Sequence, residues 1–176
     1  MNTRTWLAAM LAILLAAAGS VSAQQKDMGQ PLERRELAKL LPDRVFLDGE
    51  APTVQKRNAV GARMEDGKVV VAMLVDTSGY SADYQQKYTG VLITQGPLYL
   101  NAKSLAPGAY GFGRKKSGGE EKIVFYDMGG NQIAEVTAEK HDDLRPATPI
   151  QLRDGKNKLR LYLGKFWIRI SSRAGD

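Results

Sequence analysis

The single histidine, His141, stands beside Asp142 and Asp143, residue types suited to acid–base or metal chemistry. A metal would need further ligands from elsewhere in the chain, and adjacent carboxylates in a polar stretch are ordinarily solvated. A serine triad would have to use the same histidine. No Gly-x-Ser-x-Gly elbow exists to present its nucleophile, and Ser78 and Ser104 fall in turn segments. The run Gly111-Phe112-Gly113-Arg114-Lys115-Lys116-Ser117 has glycines ahead of a Lys-Ser pair, as a phosphate loop does. It lacks the Gly-Lys spacing and is followed by a strand pattern where a helix must begin. Lys115 to Gly119 therefore reads as a solvated hairpin tip. Glu120 and Glu121 are adjacent, so on a strand they point to opposite faces and cannot act as an acid/base pair. These readings leave no catalytic residue, metal or cofactor to name. A hydrolase using His141 with Asp142 or Asp143 is the enzymatic alternative.

The last two strand patterns hold the one constellation that passes a geometric test. With Gly164-Lys165 as a two-residue turn, for which glycine in first place suits type II′, Leu163 faces Phe166, Leu161 faces Ile168 and Leu159 faces Ile170. On the other face Tyr162 meets Trp167, Arg160 meets Arg169 and Lys158 meets Ser171. A slip of one residue would scramble both faces, so the agreement supports the register. Directly opposed arginines repel, and the repulsion calls for a carboxylate from another strand, contact with the Tyr162 or Trp167 ring, or an anionic partner. Arg160, Tyr162, Trp167 and Arg169 are therefore the candidate ligand-binding residues, with arginines gripping an acidic group and aromatic rings offering stacking area.

Charge distribution points to the same place. The 176-residue chain has a formal net charge of +6 and no cysteine. From Ile150 onward Arg153, Lys156, Lys158, Arg160, Lys165, Arg169 and Arg173 stand against Asp154 and Asp176 only, whereas basic and acidic residues balance from Gln24 to Pro149. An excess of this size does not suggest nucleic acid as the target.

The elements that must position this face are strands. Arg4, the apolar run Trp6 to Ala18 and Val21-Ser22-Ala23 read as a cleaved signal peptide over 1–23, with the run too short to span a bilayer. This predicts a periplasmic or secreted protein with no transmembrane segment in the mature chain. Without cysteine, neither a lipidated cysteine nor a disulfide is available, so the core must supply stability. Residues 24–43 form a polar segment and a short helix in which Leu32, Leu37, Leu40 and Leu41 make the apolar stripe, ended by Pro42. Residues 44–173 form a single β domain of nine or ten short strands separated by turn formers. Glu65-Asp66-Gly67 marks a tight hairpin, and Val69 to Val75 is apolar on both faces, as a central strand covered twice would be. The fold predicted is all-β, an antiparallel sandwich with one short N-terminal helix, a closed barrel being the alternative.

Leu105-Ala106-Pro107-Gly108-Ala109-Tyr110 resembles the Leu-x-Pro-Gly-x-Tyr turn of exported bacterial β-sandwich domains, including carboxypeptidase regulatory-like modules. Across most of the chain, Leu47-Asp48-Gly49, Val75 to Ser81, the Pro-Gly-x-Tyr-Gly turn, Arg145 to Pro149 and Leu161 to Gly164 are similar to a group of uncharacterised exported bacterial β-sandwich-like proteins. The resemblance implies fold and export and assigns no residue a role. The functional expectation is a non-enzymatic binding or interaction domain for an anionic glycan, envelope component or protein, with a structural subunit of an envelope assembly as the alternative. The oligomeric state is left open.

Overall fold

The computed structural model describes residues 29–101, 103–142, 148–155 and 158–174. The expected signal peptide, residues 24–28, Asp143 and Arg145 to Ala147 lie outside them. The elements are β1 (Gln30–Pro31), α1 (Arg34–Leu40), β2 (Thr53–Arg63), β3 (Val69–Asp76), α2 (Ala82–Lys87), β4 (Gly90–Thr94), β5 (Leu98–Leu100), β6 (Lys103–Leu105), β7 (Gly108–Ser117), β8 (Glu120–Tyr126), β9 (Gln132–Thr137), β10 (Glu139–Lys140), β11 (Ile150–Gly155), β12 (Lys158–Leu163) and β13 (Phe166–Ser171). They build two antiparallel sheets. Sheet I runs β1-β2-β3-β4-β7-β8-β9, and sheet II runs β11-β12-β13-β5-β6 with β10 also paired to β13. Neither sheet closes on itself, so the architecture is the sandwich and not the barrel. No helix among the described residues is long and apolar enough to cross a membrane.

Strand β3 sets the layering. Its alternate side chains Val70, Ala72 and Leu74 enter the cluster between the sheets, with Leu92, Phe112, Ile123 and Phe125 from sheet I and Leu159, Leu161, Ile168 and Ile170 from sheet II. The intervening Val69, Val71, Met73 and Val75 join a second buried cluster on the far side of sheet I. That cluster is closed by Leu37 and Leu41 at α1, Val45 and Leu47 from the following loop, and Tyr84 and Tyr88 at α2. Helix α1 is thus part of the core. Of its expected stripe, Leu37 and Leu41 are buried and Leu40 is 43% exposed. The helix ends before Leu41, whose extended backbone suits a residue preceding proline.

Helix α2 is a second helix beyond the single N-terminal one expected from the sequence. Ser81 caps it, its Oγ accepting the Tyr84 N–H at 3.3 Å. Tyr80, Tyr84 and Tyr88 recur every fourth residue, before, within and just after the helix. Their rings contact in sequence, with centroids 4.9 and 4.7 Å apart, and Tyr88 meets Tyr126 edge-on at 5.4 Å. The glycines that resembled a phosphate loop seat this layer. Gly111-Phe112-Gly113 lies within β7, so Phe112 points into the sandwich while both glycines face the covering layer. A methyl group at Gly113 would lie 2.1 Å from the Lys87 carbonyl oxygen, and one at Gly111 would lie 2.8 Å from Leu47 and Tyr88 side-chain atoms.

The hairpins follow turn chemistry. Gly67 has φ 78° in the β2–β3 turn, where the Met64 N–H donates to the Lys68 carbonyl at 2.8 Å. Strand β7 continues to Ser117, which shortens the expected β7–β8 tip to Gly118-Gly119, with φ 62° and 83°. The Leu105–Tyr110 element carries the chain from sheet II into sheet I. There the Tyr110 hydroxyl donates to the Ala106 carbonyl at 2.7 Å, an arrangement like the tyrosine corner of other sandwiches.

If close approach of α2 is what Gly113 provides, Gly113→Ala should destabilise the protein by at least about 2 kcal/mol, because the atom it meets is backbone and cannot swing aside. Gly79→Ala, where a methyl group meets nothing within 4 Å, is the control. Urea unfolding midpoints that match for the two variants would show that the α2–β7 contact yields freely.

Candidate functional site

The β12–β13 hairpin has the register read from its sequence: Leu159↔Ile170, Arg160↔Arg169, Leu161↔Ile168, Tyr162↔Trp167 and Leu163↔Phe166. Gly164 has φ 63° and Lys165 is not left-handed, the sign pattern of a type II′ turn. The neighbouring strand adds what the sequence reading missed. Strand β11 extends past Leu152 to Gly155 and pairs Gln151↔Tyr162 and Arg153↔Arg160. The outer face of sheet II therefore carries one row Gln151-Tyr162-Trp167-Glu139 and beside it a row Arg153-Arg160-Arg169. The extension of β11 to Gly155 brings a third arginine into line.

Cation–π contacts offset the repulsion within that row. The Arg160 guanidinium carbon lies 4.1 Å from the Trp167 ring centroid and that of Arg153 lies 5.6 Å from Tyr162. The two rings are 6.2 Å apart at 36°. Tyr162 and Trp167 are only 3% and 7% exposed. They form a base beneath the cations rather than the open stacking surface the sequence suggested. Arg153 is exposed, and Arg160 and Arg169 are half-buried. Asn101 holds the far end of the row. It takes the left-handed backbone, accepts the Arg169 N–H on Oδ1 at 3.0 Å, and donates its own N–H to the Arg169 carbonyl at 3.1 Å. Its Nδ2 also donates to Thr137 O at 3.1 Å.

A second polar constellation sits under sheet I's covering layer. Asp48, with φ 54°, opens a tight turn with Gly49 and donates its N–H to Met128 O at 2.8 Å. Its Oδ2 accepts from Lys87 Nζ and from the Tyr88 hydroxyl, both at 2.8 Å. Lys87 Nζ also lies 5.1 and 5.0 Å from the Tyr88 and Tyr126 ring centroids. The Lys87 and Tyr88 hydrogen bonds hold the Asp48 carboxyl below its ordinary range. Burial pushes Tyr84 up to about 12 and, with the bond to Asp48, raises Tyr88 further. None of the three shifts moves a group toward neutral pH, where a general acid or base must titrate. The set is a latch that fastens the 44–50 loop to α2.

His141 is exposed, and its N–H donates to Lys165 O at 2.9 Å. Asp142 is ion-paired to Lys140, and Asp143 lies outside the described residues. Among the described residues, no three His, Cys, Asp or Glu side chains form a group able to hold a metal ion. No family model, no curated protein and no solved structure matches the chain.

The latch has a pH signature. Because Asp48 titrates lower in the folded state than its ordinary 3.8, its contribution is present above that value and is lost as pH falls through the folded pKa. Asp48→Asn, which keeps the left-handed turn, should lower stability at pH 7 by about 1–2 kcal/mol, since both partners are partly solvated. The stability gap between the two proteins should narrow as pH falls from 7 to below 3.8. An equal gap at both pH values would mean that the charge on Asp48 contributes nothing.

Proposed function

We propose that the chain is an exported, non-enzymatic binding domain that recognises an anionic glycan, envelope component or protein on the outer face of sheet II. The observation that carries this reading is the in-register row Arg153-Arg160-Arg169, in which Arg153 and Arg160 lie over buried Tyr162 and Trp167. Neighbouring strands are about 4.8 Å apart, so three guanidinium-bearing residues are spaced along roughly 10 Å. Arg153 and Arg160 can each grip a carboxylate, sulfate or phosphate through paired N–H donors. Arg160 already rests on its ring, so less side-chain freedom is lost when a ligand docks. An acidic ligand also neutralises the repulsion among the three cations. The signal-like segment 1–23 and the C-terminal concentration of positive charge support a role at an envelope.

The test is retention of the purified protein by an acidic polysaccharide such as polygalacturonate or heparin. Arg160→Gln should weaken binding about tenfold while changing stability by less than about 1 kcal/mol. Both a repulsion and a ring contact of similar size disappear with that substitution. Binding should also fall steeply with added salt, because the partly exposed cations are screened. Retention that Arg160→Gln leaves untouched removes this face from the account.

A further inference from the structure

The two sheets leave a groove of about 560 Å³ where α1 and β2 approach β11, the edge strand of sheet II. Its floor is apolar, formed by Leu32, Leu37, Leu41, Val60, Ile150 and Leu152. Gly61 lets Leu32 and Leu37 settle directly onto β2, since a methyl group there would lie 2.9 Å from Leu32 Cδ1 and 3.0 Å from Leu37 Cδ1. The rim carries Arg34, Lys56, Arg57 and Arg153, and among the described residues no Asp or Glu lines the groove. Lys56 is paired with Asp43, whereas Arg34 and Arg57 have no acidic partner among the described residues. The register of β2 against β3 shifts between Val54 and Ala59, and such bulges re-aim side chains. Lys56 and Arg57 lie within that irregular stretch. The groove's size falls within the ~300–1,000 Å³ typical of ligand sites.

Gln151 and Arg153 join this groove to the arginine face. Both line the groove, and both belong to the outer rows of sheet II. An apolar trough whose charged described lining residues are all cationic, opening onto a row of arginines, is complementary to a molecule with a hydrocarbon tail and an acidic head. We propose that the groove holds the acyl chain of a single-chain anionic amphiphile, its carboxylate or phosphate head lying on Arg153. This rests on the arginine-face reading and narrows it to an acidic, acylated envelope component.

Titration calorimetry of the purified protein with decanoate, laurate, dodecyl phosphate, dodecanol and inorganic phosphate tests the proposal. Affinity should rise about fourfold for each methylene buried between decanoate and laurate. Dodecanol should bind at least about tenfold more weakly than laurate, and inorganic phosphate alone should bind too weakly to measure. Laurate against dodecyl phosphate reports which acidic head the site prefers. Ala38→Trp, at an exposed position of α1 on the groove wall, should abolish laurate binding and leave retention on polygalacturonate unchanged. Arg153→Gln, which leaves the apolar floor intact, should weaken laurate about tenfold and serves if Ala38→Trp fails to fold.

Affinity independent of chain length, equal binding of dodecanol, or laurate binding that survives both substitutions would overturn the groove proposal. If laurate does not bind but polygalacturonate retention remains sensitive to Arg160→Gln, the groove proposal fails and the arginine face stands. If that retention is also insensitive to Arg160→Gln, both readings fall.

Discussion

A sheet that is apolar on both faces has to be covered twice, and most of this structure follows from that demand. Strand β3 buries Val70, Ala72 and Leu74 on one side and Val69, Val71, Met73 and Val75 on the other. Burying one such side chain is worth about 1.5–3 kcal/mol, so neither face can be left wet. Sheet II covers the first face. The second is closed by pieces too short to fold alone, α1, the 44–50 loop and α2. They are fixed by packing on the sheet and by the Asp48 hydrogen bonds to Lys87 and Tyr88. Glycine on the outer side of β7 lets that layer sit close enough to exclude water.

Sheet II solves a different problem. Its inner face is Leu159, Leu161, Leu163, Ile168 and Ile170, all buried, while its outer face combines opposed like charges with two large aromatic rings. Each opposed pair costs on the order of 0.2–1 kcal/mol. A guanidinium over an aromatic face returns about 0.5–1 kcal/mol when exposed and about 2 when desolvated. Arg160 stands 4.1 Å from the ring of Trp167, itself 7% exposed, which favours the upper part of that range. The row is therefore tolerable without a ligand, yet an acidic group still removes the remaining repulsion.

Local rules made some of this legible in the sequence. The Gly164-Lys165 turn fixes which residues of β12 and β13 face each other, and two-face apolarity marked Val69 to Val75 as a central strand. Other features depend on distant partners. Asp48-Gly49 reads as a turn, but nothing near it in sequence says that Lys87 and Tyr88 converge on its carboxylate. Tyr80, Tyr84 and Tyr88 did carry a four-residue period, in a segment short enough for the turn residues Thr77-Ser78-Gly79 to obscure it. The alternation of β12 and β13 put Tyr162 and Trp167 on the outer face, but alternation reports a side and not an exposure. Their burial depends partly on Arg153, which lies over Tyr162 and is brought into line by the pairing of β11 with β12.

Positive charge on a sheet has a simpler explanation that must be weighed against recognition. Edge strands are protected from pairing with other chains by charged side chains, and Arg153 on β11, at the border of sheet II, would serve in that way without any ligand. The explanation does not extend along the row. Strands β12 and β13 are flanked on both sides, β12 by β11 and β13, and β13 by β12 together with β5 and β10. They have no open edge along the row for Arg160 and Arg169 to guard. A solvated outer face also asks only for polar residues, which Gln151 and Ser171 supply at neighbouring positions without placing like charges side by side. Edge protection and solubility leave the alignment of arginines at the same level of three adjacent strands unexplained, and the proposed acidic ligand, lying across those strands, would account for it.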